Sequence, residues 1–392
     1  METNPYCNNK ARLVLQFHIT GNCNLKCKHC YRTEGNVEPL SYEDVITVIE
    51  QFKELVTEFS QRHKSRRRGH INLTGGEPFV RKDIKEILRY LGANKESLSF
   101  GILSNGSFLD DNMISVLKET GVAFVQLSLD GNREMHDTLR ASGDYDRVLK
   151  TAEYLEQMGI PVHISFTANK ENFKYLPDVA AECRKRKLTK LWSDRLVPIG
   201  TGQEISNLSI THKELPEYLA ALKKARGSRL VRLLYPKTQV VMNRALQFLA
   251  CKDSSYSCSA GKTLLTVDEF GNVMPCRRMP IVCGNIFDAT LREIYYHQET
   301  FRNLRNLHEP KECGTCEYVY GCKGGARCQS FALYGNYYKA DPACPKRKDS
   351  SSDKATEWKE HKEEGYEKNS SNRLGSLDLY WSCGVRERES VK

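Results

Sequence analysis

The chain has 392 residues and a formal net charge of +10, and hydrophobic residues make up 40% of it. This composition supports two domains, or one barrel with an appendage, and no apolar run approaches the length of a membrane-spanning helix. The first residues lack the basic-then-apolar pattern of a signal peptide. The fifteen cysteines therefore predict metal ligation in a cytoplasmic protein rather than disulfides.

Short apolar runs alternate with longer amphipathic ones from residue 13 to about residue 200. The predicted strands are 13–19, 70–74, 98–103, 123–129, 161–167 and 190–197, each bounded by Gly, Asn, Asp or Pro. The predicted helices are 41–59, 82–92, 110–120, 146–158 and 173–186. Alternation of strand and helix indicates an α/β fold with a parallel sheet and right-handed crossovers. Six such units suit an open, partial (β/α)6 barrel.

Three cysteines, Cys23, Cys27 and Cys30, directly follow the first predicted strand in the arrangement Cys-x-x-x-Cys-x-x-Cys. A cubane iron–sulfur cluster has four irons to ligate, so three thiolates leave one iron open, as catalytic zinc sites keep an open position. Taken alone, the spacing also fits a zinc loop or three buried thiols. The loop resembles that of the radical S-adenosylmethionine (radical SAM) enzymes, with His29 where the family usually has an aromatic residue.

Further motifs follow the later strands, at the end of the sheet where parallel folds bind their ligands. They are Gly75-Gly76-Glu77-Pro78, Ser104-Asn105-Gly106, Ser128-Leu129-Asp130-Gly131 with Arg140, and Pro198. Each resembles a radical SAM family motif. The resemblance implies that the first binds the amino group of SAM and that the second is the family's Thr-Asn-Gly turn. It also implies that Ser128 and Asp130 approach the ribose, that Arg140 meets the SAM carboxylate, and that the adenine contact lies at Pro198.

The last third is rich in cysteine and follows a helical linker near residues 212–250. A hairpin is predicted around residues 268–272, with Cys276 at its end. The Cys-x-x-Cys-x5-Cys run that begins at Cys313 and the spacing from Cys258 to Cys276 resemble the SPASM domain. That domain is the C-terminal extension of radical SAM peptide modifiers, and it holds two auxiliary iron–sulfur clusters.

The resemblance implies a set of ligands for each auxiliary cluster. The outer cluster would be held by Cys313, Cys316, Cys322 and Cys344, and the inner one by Cys251, Cys258 and Cys276. The family usually has another cysteine where this chain has Ala326, and Cys328 is the candidate replacement because a Gly-Gly step makes the loop before it permissive. Two alternatives stay open: an inner cluster whose open iron binds a substrate thiolate, and a zinc scaffold, since Cys-x-x-Cys is also a zinc spacing.

The predicted domain organisation has five parts. They are an N-terminal segment (1–12), a radical SAM partial barrel (13–210), a helical linker (211–250), a SPASM auxiliary-cluster domain (251–345) and a polar C-terminal tail (346–392). The composition of the tail is typical of partly disordered segments. Four cysteines remain outside the predicted clusters: Cys7, Cys183, Cys283 and Cys383.

The family resemblance implies an enzyme with SAM and three 4Fe–4S clusters as cofactors. One electron cleaves SAM to methionine and a 5′-deoxyadenosyl radical, the radical abstracts hydrogen from an unactivated carbon, and the auxiliary clusters accept an electron. We expect a ribosomally synthesised peptide as substrate, cross-linked through a thioether or carbon–carbon bond. The alternatives are an anaerobic sulfatase-maturing enzyme that makes formylglycine, an RNA-modifying radical SAM enzyme, and a non-enzymatic zinc scaffold.

Basic runs at residues 66–68 and 184–187 are either solvated faces or an attraction for an acidic partner. We therefore expect a peptide or protein substrate with an acidic leader. About a dozen residues precede the first strand, too few for a leader-binding domain, so a separate leader-binding protein is a candidate partner. An electron donor such as flavodoxin or ferredoxin is also expected. No segment resembles an RNA-binding module, and no membrane partner is expected.

Overall fold

The computed structural model describes residues 11–32, 40–64, 67–251 and 256–348. Predictions for the C-terminal tail beyond residue 348, for Cys7 and Cys383, for Arg66 and for the side chain of Cys251 lie outside the described residues. A search of the described helices finds none that is both long and apolar enough to cross a bilayer.

A nine-stranded sheet organises the described part of the chain. Its strands are β1 (Val14–Thr20), β2 (Gly69–Gly75), β3 (Leu98–Leu103), β4 (Val125–Ser128), β5 (Val162–Ala168), β6 (Lys190–Arg195), β7 (Gln239–Val241), β8 (Leu264–Val267) and β9 (Val273–Met274). Their order in space is β7-β6-β5-β4-β3-β2-β1-β8-β9. Every neighbouring pair is parallel except β8 with β9. The predicted α/β fold with a parallel sheet of six βα units, β1 to β6, is confirmed.

Helices connect these strands and continue beyond them. They are α1 (Tyr42–His63), α2 (Ile84–Ala93), α3 (Asp111–Thr120), α4 (Arg133–Leu139), α5 (Asp144–Gln157), α6 (Leu176–Lys185), α7 (Leu215–Arg226), α8 (Arg229–Leu234), α9 (Phe248–Cys251), α10 (Leu291–His297), α11 (Glu299–Arg305), α12 (Val319–Cys322) and α13 (Arg327–Tyr334). The first begins with a capping box, in which Ser41 Oγ accepts a hydrogen bond from the amide of Asp44 at 3.1 Å. Such a box satisfies backbone donors that have no partner inside the helix.

The core lies between the sheet and the inward faces of the helices. On α1, Val45, Ile49, Phe52 and Val56 are buried at intervals of three and four residues, which places them on one face of the helix. The strands contribute side chains such as Leu15 and Phe17 of β1, both fully buried. Burial of one such side chain stabilises the fold by roughly 1.5–3 kcal/mol. This packing fixes the strand ends that carry the loops of the site.

The hairpin predicted in the cysteine-rich part is present, and it extends the barrel sheet. β8 and β9 pair antiparallel, and β8 also pairs parallel with β1, from Val14 opposite Leu264 to Phe17 opposite Val267. At the other edge of the sheet, β7 pairs with β6. The linker was predicted to be helical, and this prediction is incomplete because residues 239–241 form a strand. An extended segment there satisfies the backbone groups at the free edge of β6.

Buried polar contacts hold the cysteine-rich part against the carboxyl ends of the strands. Arg195, the last residue of β6, donates two hydrogen bonds to Asp341, at 2.9 and 2.5 Å, and both side chains are at most 3% exposed. The side-chain amide of Gln329 donates to the carbonyl of Leu196 at 2.9 Å. Because buried charges are retained only when paired, these contacts set where the C-terminal cysteines lie relative to the barrel.

Candidate active site

A cavity of about 520 Å3 lies at the carboxyl ends of the parallel strands, and we call it the mouth cavity. Its lining includes most residues between Gly21 and Arg32 and residues at the ends of β2 to β6. Arg277 and Arg278, directly after Cys276, close it from the cysteine-rich side. Ligands of parallel α/β folds bind at this end of the sheet, so the mouth cavity is the candidate active site.

The cysteine loop, residues 23–30, brings its three thiols to the mouth cavity. Burial raises the pKa of the Cys27 thiol to about 11, with Cys30 and Cys23 contributing further. Three neighbouring thiolates repel one another in a site of low dielectric. The positive charge of a bound metal offsets this repulsion and keeps the thiols deprotonated. The donor set fits the iron–sulfur cluster that the sequence predicts.

Arg140 lies beside the cysteine loop and is held by a fully buried carboxylate. Its Nε donates to Asp130 at 2.6 Å, a terminal nitrogen lies 3.7 Å from the sulfur of Cys27, and another lies 3.2 Å from Nε2 of His29. Burial disfavours ionised Asp130, but Arg140 and His29 outweigh this cost and hold the pKa of Asp130 below its ordinary value. Burial lowers the pKa of His29 to about 4. The network joins the loop after β4 to Cys27.

Two glycines after β2 let that loop approach the end of β1 and Asn22, directly before the cysteine loop. A Cβ on Gly76 would stand 2.1 Å from the carbonyl oxygen of Asn22, and one on Gly75 would stand 2.2 Å from that of Thr20. Gly75 also has φ of +137°, a conformation that favours glycine. The amides of Gly76 and Glu77 donate to Thr20 and Asn22 at 2.9 and 2.8 Å. The Gly-Gly pair is therefore required by this contact.

The carboxylate of Glu77 does not face the mouth cavity. It is fully buried and accepts hydrogen bonds from Ser104 Oγ at 2.9 Å, from the amide of Asn105 at 2.7 Å and from the amide of Phe79 at 3.2 Å. Burial raises its pKa to about 7. Glu77 therefore ties the loop after β2 to the loop after β3, and both loops line the cavity.

The predicted SAM-contact residues divide into two groups. Those that line the mouth cavity are Gly75, Gly76, Ser104, Asn105, Ser128 and Arg140. Those that are buried outside its lining are Glu77, Pro78, Asp130 and Pro198. Sequence reasoning did not single out Gln126, Asp194, Arg195, Thr201, Arg277 or Arg278, all of which line the cavity. The sequence feature that could have pointed to two of them is the pair of arginines directly after Cys276.

Three cysteines of the predicted inner cluster lie together, and we call Cys258, Cys276 and Cys328 the inner set. They pack around a small buried cluster formed by Ala260, Met279 and Leu304. Burial raises the pKa of the Cys328 thiol well above its ordinary value, and Cys276 and Cys258 add to the shift. The structure thus brings Cys328 beside Cys258 and Cys276. This position is the one that Cys328 needs if it is to replace the cysteine that the family usually has at the position of Ala326.

The four cysteines of the predicted outer cluster, the outer set, are Cys313, Cys316, Cys322 and Cys344. All four line one small cavity of about 20 Å3, together with apolar residues such as Leu246 and Phe248. Burial raises the pKa of Cys322 to about 12, with Cys344 adding to the shift. Across the described ranges, no three His, Cys, Asp or Glu side chains meet at the spacing of a single metal ion.

The basic run at residues 184–187 is largely engaged in structural contacts. Arg184 donates to the carbonyls of Ala225 and Arg226, the last residues of α7, where cations are favourable. Arg186, directly after α6, pairs with Glu182 of that helix and with Glu153 of α5. Lys185 and Lys187 are exposed. This run therefore supports the sequence-based alternative of an ordinary solvated face.

Comparison with known families assigns both parts of the chain. The radical SAM superfamily model matches residues 17–183, and the SPASM model, described as an iron–sulfur cluster-binding domain, matches residues 258–317. Together the two models match more than half of the chain. The cysteine loop lies within the first match. Of the seven cysteines of the inner and outer sets, four lie within the second match (Cys258, Cys276, Cys313 and Cys316), and Cys322, Cys328 and Cys344 follow it.

Similar proteins cover most of the chain. The AdoMet-dependent heme synthase of Oleidesulfovibrio alaskensis is 27% identical over 84% of this chain and 86% of its own length. The mycofactocin maturase MftC of Mycolicibacterium smegmatis is 27% identical over 85% of this chain and 83% of its own length.

Two solved structures share the fold. Streptococcus suis SuiB bound to S-adenosylmethionine has a TM-score of 0.64 at 17% identity and covers 85% of this chain and 77% of its own. The anSMEcpe structure with bound AdoMet has a TM-score of 0.67 at 19% identity and covers 86% of this chain and 91% of its own. The two family models, the shared fold and the cysteine loop all agree with one another. The chain belongs to the radical SAM superfamily, as an enzyme with a C-terminal SPASM domain.

Proposed function

We propose that this radical SAM enzyme modifies a ribosomally synthesised peptide by forming a thioether or carbon–carbon cross-link. Support comes from the mycofactocin maturases among its relatives, such as MftC at 27% identity. A structure of SuiB bound to the precursor peptide SuiA has a TM-score of 0.63 with this chain, which supports the fold only.

The observation that carries the proposal is that two groups of thiols lie at the mouth cavity or next to its lining. The cysteine loop is part of the lining. Arg278 is another part of it, and the amide of Arg278 donates to the sulfur of Cys276 at 3.4 Å. A substrate in the mouth cavity would therefore lie near both groups. Formation of a cross-link removes one hydrogen atom, one proton and one electron from the peptide, so the chemistry needs an electron acceptor close to the cavity.

The proposed ligand sets follow the three groups of cysteines. The cysteine loop would hold the cluster that binds SAM, Cys251 and the inner set would hold the inner auxiliary cluster, and the outer set would hold the third. When bound, SAM and its cluster supply a 5′-deoxyadenosyl radical that removes hydrogen from an unactivated carbon. The chain's own residues orient these groups. Arg140 and Asp130 brace Cys27, and Glu77 braces the loops after β2 and β3.

The proposed partners are the peptide, with an acidic leader, and an electron donor such as flavodoxin or ferredoxin. A separate leader-binding protein would present the peptide. Arg67 and Arg68 are exposed, so this remaining part of the first basic run would attract an acidic leader through screened charge. Nucleic acid and membrane partners are not part of the proposal.

A tetrapyrrole substrate is the second candidate. The observation that favours it is the similarity to AdoMet-dependent heme synthases, including 28% identity to that of Methanosarcina barkeri over 86% of this chain. Conversion of a Cys or Ser to formylglycine in a sulfatase remains the alternative that the family resemblance implies.

The test is a comparison of substrates with anaerobically reconstituted enzyme, SAM and dithionite. The probes are the peptide encoded beside the gene, iron coproporphyrin III, and a sulfatase peptide with the target Cys. We expect the first probe to stimulate 5′-deoxyadenosine formation and to lose two hydrogen atoms, located by tandem mass spectrometry. The proposal would be refuted if iron coproporphyrin III or the sulfatase peptide were converted while the peptide encoded beside the gene stayed unchanged.

A further inference from the structure

Arg277 differs from the other arginines that line the mouth cavity. Those arginines are Arg32, Arg140, Arg195, Arg277 and Arg278. Four of them have carboxylate partners: Arg32 pairs with Glu269, Arg140 with Asp130, Arg195 with Asp341 and Arg278 with Asp194. For Arg277, no ion pair is found in the described part of the chain, and its buried Nε atom has no hydrogen-bond partner there. Arg277 is half-buried, and a cation partly withdrawn from water is stabilised by a counter-ion, so its guanidinium is available to a group of negative charge in the cavity.

The position of Arg277 is fixed beside the cysteine loop. Its guanidinium carbon lies 5.1 Å from the ring centre of Tyr31, which is within range of a cation–π contact. The hydroxyl of Tyr31 is in turn 3.3 Å from Nε2 of His18 on β1. Since Tyr31 follows Cys30 directly, Arg277 lies between the cysteine loop and Cys276.

The local charge favours an anion. Arg278 and Arg244 add like charge at Arg277, and the carboxylate of Asp194 is already hydrogen-bonded to Arg278 at 2.5 Å. A charge in a concave site that has no partner of opposite sign raises the local concentration of ligands of that opposite sign. A guanidinium can also bind a carboxylate through two parallel hydrogen bonds, which fixes its orientation.

We infer that Arg277 binds a carboxylate of the substrate and thereby holds the neighbouring carbon at the cysteine loop. The inference rests on the proposed function only in that the substrate enters the mouth cavity. The carboxylate belongs either to a peptide, at its C-terminus or on an acidic side chain, or to a propionate of a tetrapyrrole. The recognition chemistry is the same for both.

Binding measurements with capped and uncapped probes test this assignment. The probes are iron coproporphyrin III and the peptide encoded beside the gene, each as the free acid and with all carboxyl groups as methyl esters. Dissociation constants are measured with the reconstituted holoenzyme in the presence of SAM. The variants are Arg277→Gln, which removes the charge, Arg277→Lys, which keeps it, and Arg302→Gln, which changes an exposed arginine of α11 and serves as the matched control.

We expect one free acid to bind the wild type about tenfold or more tightly than its ester, as one charge-assisted hydrogen bond supplies. Arg277→Gln should abolish that preference and Arg277→Lys should keep part of it, while Arg302→Gln should behave as the wild type. A leader that binds elsewhere by charge would produce an ester effect that survives in Arg277→Gln, and this result would overturn the inference. Failure of all four probes to bind would also overturn it.

Two further measurements separate other roles of Arg277. SAM affinity and iron content should be unchanged in Arg277→Gln. A tenfold loss of SAM affinity would show that Arg277 meets the SAM carboxylate, and loss of iron would show that it supports the inner set; either result overturns the inference. A preference confined to the free porphyrin would support Arg277 as the carboxylate anchor while contradicting the peptide proposal, so the two hypotheses fail separately.

Discussion

Cys328 shows how a thiol can reach the inner set from a shifted sequence position. Ala326, where the family usually has cysteine, lies just before α13, and its amide donates to Asp341 at 3.0 Å. Cys328 lies in the first turn of that helix, beside Cys276 and Cys258. Gly324 and Gly325 precede it with φ of +88° and +81°, values that glycine adopts without strain. The tight turn therefore delivers the helix start, and with it the thiol, to the inner set.

Replacement of Cys328 by Ala should remove the inner auxiliary cluster. We expect loss of about a third of the iron, the share of one cubane cluster in three, measured by iron and sulfide analysis after anaerobic reconstitution. Cys183→Ala is the control, because Cys183 is fully buried on α6 in the core. Ala326→Cys in the Cys328→Ala background should restore part of the iron. Iron content and spectra equal to those of the control would instead favour an inner cluster with an open iron.

At the scale of elements, local patterns predicted the barrel, whereas long-range pairing was not predictable. The strand predicted at 98–103 is observed as β3 with those bounds, and the others shift by one or two residues. Alternation of apolar runs and turn residues is a local signal. The pairing of β8 with β1 joins segments about 250 residues apart, and the sequence of neither strand indicates which strand it pairs with. The short helix α4 (Arg133–Leu139) was missed because seven residues give little periodicity.

The site shows the same division between what the sequence could and could not predict. The spacing of Cys23, Cys27 and Cys30 is a local signal, because all three lie in one loop. The inner set joins cysteines from separate segments of the chain, and it was predicted through the family resemblance. Glu77 is hydrogen-bonded to Ser104 and Asn105, which lie on a different loop. The role of Glu77 in joining the two loops was therefore not predictable from its own motif. The pairing of Arg195 with Asp341 likewise depends on how two distant parts of the chain pack.

The contact between Arg195 and Asp341 gives a test at this scale. Asp341 also accepts hydrogen bonds from the amides of Ala326 at 3.0 Å and Ala343 at 3.1 Å. Asp341→Ala would leave a buried guanidinium without its partner, which costs about 3–5 kcal/mol. We expect the apparent melting temperature of the reconstituted enzyme to fall by several degrees, with Asp341→Asn less affected. Asp288→Ala, at an exposed position, is the control, and equal melting of the two alanine variants would contradict this role.

At the scale of the whole molecule, the cysteine loop and the two C-terminal sets depend on different parts of the chain. The loop follows β1 and contacts Asn105 in the loop after β3 and Arg140 after β4. The inner set packs around residues of the C-terminal third, and the outer set lines its own cavity with residues 246–249 and 313–346. Because no thiol of the loop belongs to either C-terminal set, we expect the auxiliary clusters to assemble without the first one.

Changing Cys23, Cys27 and Cys30 together to Ala should therefore separate SAM cleavage from the rest of the molecule. If two of three cubane clusters lie in the C-terminal third, the variant should keep about two-thirds of the iron and should form no 5′-deoxyadenosine from SAM with dithionite. The three side chains are exposed or half-buried, so their truncation leaves the buried core intact, and the melting temperature should stay close to that of the wild type. A triple variant that still produced 5′-deoxyadenosine would contradict the assignment of the cysteine loop. One that lost nearly all its iron would contradict the independence of the C-terminal sets.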